Sequence, residues 1–212
     1  MIVIRGVIFR FLLTAIFLLL RGGFFDGSSV AEAHQISDAA KTITINGTST
    51  LRDWSCVVSP LIYVHDPGNI PEAPSPNFSG VINAVVHVVV PIRDIVCENN
   101  TMTKHLRKAL QWEKHPEIRF EIHQATVNGK SVYMPGDLTI AGITRNVALQ
   151  ATLNDIPDGW TTLSGTITID MRDYHVEPPV ISLLLFKAEV KPEIALSFSV
   201  STPSWRNPTK TK

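Results

Sequence analysis

Very little in this sequence points to catalysis. Its 212 residues contain no G-x-S-x-G, H-E-x-x-H, phosphate-binding glycine loop or C-x-x-C, so the short signatures of hydrolase, zinc, nucleotide and dithiol redox chemistry are all missing. The 7 histidines are scattered. His105 and His115 flank one helix-like segment, but without an adjacent carboxylate pattern they make a poor metal pair. Neither a metal nor a cofactor is expected, and no enzyme activity. A charge excess is missing as well: Lys plus Arg and Asp plus Glu both count 19, which argues against nucleic acid as the partner, since that usually demands a basic face. The uncharged apolar run FLLTAIFLLL is about half the roughly 20 residues that span a bilayer. Cysteine is scarce, with only Cys56 and Cys97.

What is present begins with an export signal. Over residues 1–33, Arg5 and Arg10 give a positive start, FLLTAIFLLL gives the apolar centre, and Ala31, Glu32 and Ala33 supply an A-x-A cleavage site. The gap between Leu20 and Ala33 is long and contains Arg21 and Asp26, so an uncleaved N-terminal membrane anchor stays open as the other reading. Both place residues 34–212 outside the cytoplasm, periplasmic or secreted. That compartment favours oxidised thiols, and a Cys56–Cys97 disulfide is expected, with two buried free thiols as the alternative.

The remaining chain reads as one domain of short strands. KTITI at Lys41–Ile45 alternates, Asn46 and Gly47 suggest a turn, and a second run continues through Trp54, Cys56 and Val58. The five prolines between Pro60 and Pro76 suggest an irregular excursion. VINAVVHVVVPI at Val81–Ile92 is apolar on both faces, so the outer side, with Val85, His87 and Val89, should be covered by a helix, a loop or a second subunit. TMTKHLRKALQ places Met102, Leu106, Ala109 and Leu110 on one helical face with Thr101 as the cap. Leu138 and Ile140 alternate, AGITRN interrupts, and Val147, Leu149, Ala151 and Leu153 alternate again. This is an antiparallel hairpin whose connection is longer than a two-residue turn. With IRFEI, the run ending at Asp170, and IALSFSV, the count is about eight strands and one short surface helix, a closed antiparallel barrel or a sandwich. Asp170, Asp173, His175 and Glu177 read as a polar loop at its mouth.

GDLTIAGITRNVAL is similar to the hairpin that marks the YceI-like family of exported lipid-binding proteins. GTSTLRDW at Gly47–Trp54, KHLRKALQWEKHPEIRFEI at Lys104–Ile122 and MRDYHVEPP at Met171–Pro179 extend the resemblance in the family's order over most of the chain after residue 40. The resemblance implies a lipocalin-like eight-stranded antiparallel β-barrel whose interior binds or carries a polyisoprenoid or similar amphiphilic lipid without covalent chemistry. A homodimer is compatible with it. On that basis the inward-parity residues Trp54, Val86, Val88, Val90, Phe120, Ile122, Leu138, Ile140, Leu149, Ile167, Ile169, Leu196 and Phe198 become the expected lipid lining. Lys104, Arg107 and Lys108 are the candidate head-group cations. The competing reading is a stress-related structural protein whose barrel is filled by its own side chains.

Overall fold

The computed structural model describes residues 34–35, 40–66, 79–156, 160–182 and 187–203, all within the unit Glu32–Lys212. Residues 1–33, read above as an export signal, lie outside the described residues. In chain order the strands are β1 (His34–Gln35), β2 (Ala40–Ser49), β3 (Asp53–Val58), β4 (Leu61–Asp66), β5 (Ser79–Pro91) and β6 (Val96–Cys97). After helix α1 (Asn100–Ala109) come β7 (Glu117–Asn128), β8 (Ser131–Ile140), β9 (Ile143–Ile156), β10 (Trp160–Asp170), β11 (Val180–Ser182) and β12 (Lys187–Pro203). Short 3-10 turns occupy Ile92–Asp94 and Met171–Tyr174.

All the ladders are antiparallel, and the main path runs β1-β4-β5-β7-β8-β9-β10-β12-β2-β3-β6. Its two flanks meet through the backbone. β3 pairs with β2, β4 pairs with β5, and only Ser59 and Pro60 separate β3 from β4. Pro60 lacks an N–H and breaks the ladder there, so residues 53–66 act as one interrupted strand joining the two halves. Counted that way, eight strands go round, as the alternation suggested, with β1, β6 and β11 as short additions.

Four local expectations are corrected by the structure. The first turn falls at Thr50–Arg52 rather than at Asn46–Gly47. Ser49 Oγ organises it, donating to the Arg52 carbonyl at 2.8 Å and accepting from the Arg52 N–H at 3.2 Å. Gly47 instead continues β2 opposite Trp54, because its missing side chain leaves room for the indole. The excursion expected from Pro60 to Pro76 begins with a true strand, LIYVHD, which keeps its alternation between Pro60 and Pro67, and the rest of that stretch lies outside the described residues.

The β8–β9 connection is a two-residue turn at Ala141–Gly142, with φ of 48° and 81°. Both residues being left-handed is the condition for the primed turn that matches strand twist; Ile143 to Asn146, counted above as loop, already belong to β9. Finally, α1 is capped by Asn99, whose side chain accepts from Met102 N–H at 2.8 Å, rather than by Thr101. Thr103 is turned inward, donating to the Asn99 carbonyl and accepting from Cys97 N–H.

Helix α1 does not cover the outer face of β5. It packs on the segment Ile92–Cys97, burying Met102, Leu106 and Leu110 with Ile92 and Ile95. Arg107 secures it by donating to the carbonyls of Arg93 and Ile95 at 2.5 and 3.0 Å. Val85 and Val89 stay half-buried, with Leu61 across the ladder from Val89. His87 is on the same outer face, edge-on to His65, and its Nδ1 is 3.7 Å from Glu121.

Candidate functional site

Inside the ring of strands is a cavity of about 300 Å³, and every residue lining it is apolar. The pleat explains how the sequence builds it. On β5, β7 and β12 three successive inward positions line the space: Val86, Val88 and Val90; Ile118, Phe120 and Ile122; Leu196, Phe198 and Val200. On β8 and β10 the middle position of the same pattern is glycine. Met134 and Leu138 flank Gly136, and Leu163 and Ile167 flank Gly165.

A side chain at Gly136 would come within 2.9 Å of the Phe120 ring, and one at Gly165 within 2.8 Å of the Phe198 ring. The two phenylalanine rings therefore lie over the two glycines and form part of the cavity surface at these places. Ile43, Ile45, Pro60, Ile62, Val147 and Leu149 complete the lining.

The end of the barrel that carries α1 is solid. One inward step beyond the lining, Ile92, Ile140 and Ile194 are 0%, 5% and 5% exposed, and Trp54 is 7% exposed. Beneath them Ile95, Leu106, Tyr174 and Val176 are also buried. By contrast, more than half of the lining residues are only half-buried although they face inward, because the cavity side of each has no protein neighbour.

Three ties hold this solid end. The Cys56–Cys97 disulfide links β3 to β6, Arg145 Nε donates to the Asp173 carbonyl at 3.1 Å, and Asp170 accepts from the backbone N–H of Arg172 at 2.9 Å. The Arg172 guanidinium also holds the Asp170 carboxyl below the usual carboxylate range, first through the side-chain hydrogen bond. Burial pushes the Tyr174 phenol up, with the Asp173 carboxylate adding to the effect. Asp170, Asp173 and His175, read above as a mouth loop, thus belong to the closed end.

Of the thirteen expected lining residues, Val86, Val88, Val90, Phe120, Ile122, Leu138, Leu149, Ile167, Leu196 and Phe198 line the cavity. Trp54, Ile140 and Ile169 do not. They have the same inward parity but belong to the packed layer below it. The expected list missed Ile43, Ile45, Pro60, Ile62, Ile118, Met134, Val147, Leu163 and Val200. Parity alone places Ile43, Ile45, Ile118, Val147, Leu163 and Val200 on the inward side, whereas Ile62 was hidden among prolines and Met134 precedes an unremarked glycine.

None of the three candidate head-group cations touches the cavity. Lys104 and Lys108 are exposed on α1 at the solid end, and Arg107 is engaged by backbone carbonyls. Among the described residues, no group of three or more His, Cys, Asp or Glu is arranged to hold a metal ion. His115 lies against the β8–β9 turn at Gly142, and His105 Nδ1 is buried without a hydrogen-bond partner.

A larger concavity of about 600 Å³ involves Asn46, Thr48, Asp53, Ser55, Glu98, Lys191 and Glu193 on the outside of β2, β3 and β12, and it reaches Gly47, Trp54 and Ile194 of the packed end. It mixes carboxylates with a lysine on open strand surface, whereas the lining of the interior cavity is wholly apolar. The interior cavity is the better candidate despite being smaller, since small-molecule sites are concave and predominantly apolar.

The comparisons with known proteins agree with this fold. The model of the YceI-like domain matches residues 26–202. Among solved structures, Burkholderia cenocepacia BcnA is similar with a TM-score of 0.59 at 12% identity, covering 76% of this chain and 96% of its own. A polyisoprenoid binding domain from Saccharophagus degradans, implicated in plant cell wall breakdown, gives a TM-score of 0.56 at 7% identity, covering 82% of this chain and 99% of its own. At such identities these likenesses show the fold. No curated protein matches.

Proposed function

The chain belongs to the YceI-like domain family, and from that premise we propose that it binds the hydrocarbon part of a polyisoprenoid or comparable amphiphile inside the barrel and carries it outside the cytoplasm without altering it covalently. The observation that carries this reading is the cavity of about 300 Å³ with a wholly apolar lining. Water gains no hydrogen bonds from such walls, whereas each CH₂ moved there from water contributes roughly 0.8 kcal/mol. A dozen contribute roughly 10 kcal/mol gross, enough for useful affinity after ordering and association costs.

A barrel filled by its own side chains would leave no such space, so the cavity favours a carrier over a purely structural role. The family and the polyisoprenoid-binding relative support the same ligand class. Titration with a fluorescent prenyl analogue tests the proposal. Saturable binding that Phe120→Glu abolishes is expected, while no saturable binding by the folded wild-type chain contradicts it.

A further inference from the structure

The wall of the lumen is not laddered all the way round. β9 and β10 pair from Ile156 and Trp160 as far as Ala151 and Gly165, and there the ladder stops. From that point toward the solid end β9 stays with β8 through to Ile143, and β10 stays with β12 through to Asp170, so each strand follows its other neighbour. Had the register continued, Leu149 would face Ile167 and Val147 would face Ile169. Val147, Leu149 and Ile167 line the cavity, so the unpaired stretch runs alongside it. The break in the ring at Ser59 and Pro60 is different, because Pro60 is fully buried and plugs it. These facing residues of β9 and β10 are only half-buried.

We propose that this slit between β9 and β10 is the portal by which the hydrocarbon chain enters the lumen, and through which the remainder of a long polyisoprenoid stays outside; this rests on the carrier reading above. A cavity of about 300 Å³ is at the bottom of the range for small-molecule pockets, so it takes in only part of such a chain. The ends of the barrel are poorer exits. Trp54, Ile140 and Ile194 are buried at the α1 end, and Val127, Val132, Ala151 and Thr161 are buried at the other. Passing a chain through either layer separates packed side chains. At the slit no ladder bonds have to be broken, and the lips are apolar, so a chain lying between them keeps part of its surface out of water. The slit is tied at its lower end, where Arg145 Nε on β9 donates to the Asp173 carbonyl of the turn that follows β10.

The test staples the slit from outside. Ala148 and Thr168 face one another across it in the continued register, and both are exposed, so Ala148→Cys with Thr168→Cys leaves the lining unchanged. The two native cysteines are bonded to each other, which reserves a short bis-maleimide for the new thiols of the full chain. The stapled protein should take up and release the fluorescent prenyl analogue at least about tenfold more slowly than the unstapled double variant. The same staple across Thr126→Cys and Tyr133→Cys, a paired position on the outside of β7 and β8, should leave both rates unchanged. Should the slit variant fail to fold, wild-type protein decides the matter: an undecaprenol-length chain bearing diazirine groups should, on irradiation, label the outward residues Ala148, Gln150, Thr166 or Thr168. A stapled slit that exchanges the analogue at the unstapled rate, or labelling that misses all four outward residues, would overturn the portal while leaving the carrier reading intact. Wild-type protein that neither takes up the analogue nor is labelled would overturn both.

Discussion

Phe198 stands directly across the β10–β12 ladder from Gly165, and its ring fills the space that a side chain at 165 would need. A diagonal version of it occurs between β7 and β8, where the Phe120 ring covers Gly136 although Ile122 is the residue paired with that glycine. Two bulky residues are thereby kept at the wall of the barrel, and the lumen stays open beside them.

Gly165→Ala should therefore cost stability and cavity together. Its Cβ would come within 2.3 Å of the Gln150 carbonyl oxygen as well as 2.8 Å of the ring. The ring can swing away, but the backbone oxygen can give only by bending β9. Overpacking of this kind costs typically 1–3 kcal/mol, roughly the range expected here from urea unfolding midpoints. Analogue affinity should fall as the displaced ring enters the lumen. Unchanged stability and affinity would mean that the ring is not held where the glycine permits it.

Reducing the single disulfide should destabilise the domain measurably. Cys56 and Cys97 are opposite one another on β3 and β6 and 41 residues apart in sequence. Closing a loop of that size contributes roughly 4 kcal/mol on chain-entropy grounds. The denaturation midpoint should drop when reductant is added, and thiol titration of denatured, unreduced protein should find no free thiol. Two free thiols per chain would contradict the bridge.

Asp170 and Tyr174 at the solid end give opposite pH signatures. Asp170 has its pKa depressed by Arg172, so its contribution is present above the ordinary aspartate value and is lost as pH falls through and below it. Asp170→Asn should lower the melting temperature at neutral pH, and the gap from wild type should close in acid. Tyr174 has its pKa raised by burial, so the unfolded chain ionises first and stability declines as pH climbs past the usual tyrosine value of about 10. Tyr174→Phe should remove that alkaline decline. Parallel acid profiles for wild type and Asp170→Asn would count against the ion pair as a folding contact.

The fold was legible because alternation survives in nearly every strand: VVHVVV, IRFEI and IALSFSV each put their lining residues at the right parity. Depth within the barrel was not legible. Ile167 and Ile169 have the same parity, yet one lines the lumen and the other packs in the floor, because only tertiary registry sets their height. The two glycines were equally silent, since their role depends on Phe120 and Phe198 arriving from other strands. The two-residue turn at Ala141–Gly142 was missed for a different reason. An alanine with positive φ is uncommon, and the local sequence gives no sign that the ladder would hold it there.

The central claim is that the lumen holds a hydrocarbon chain, and its most direct test is the cargo itself. The protein should be purified from its native host without detergent, extracted with organic solvent and analysed by mass spectrometry. The account predicts about one amphiphile with a hydrocarbon tail per chain, since the cavity of about 300 Å³ has room for little more. Folded, undegraded protein that yields no lipid by this route would contradict it.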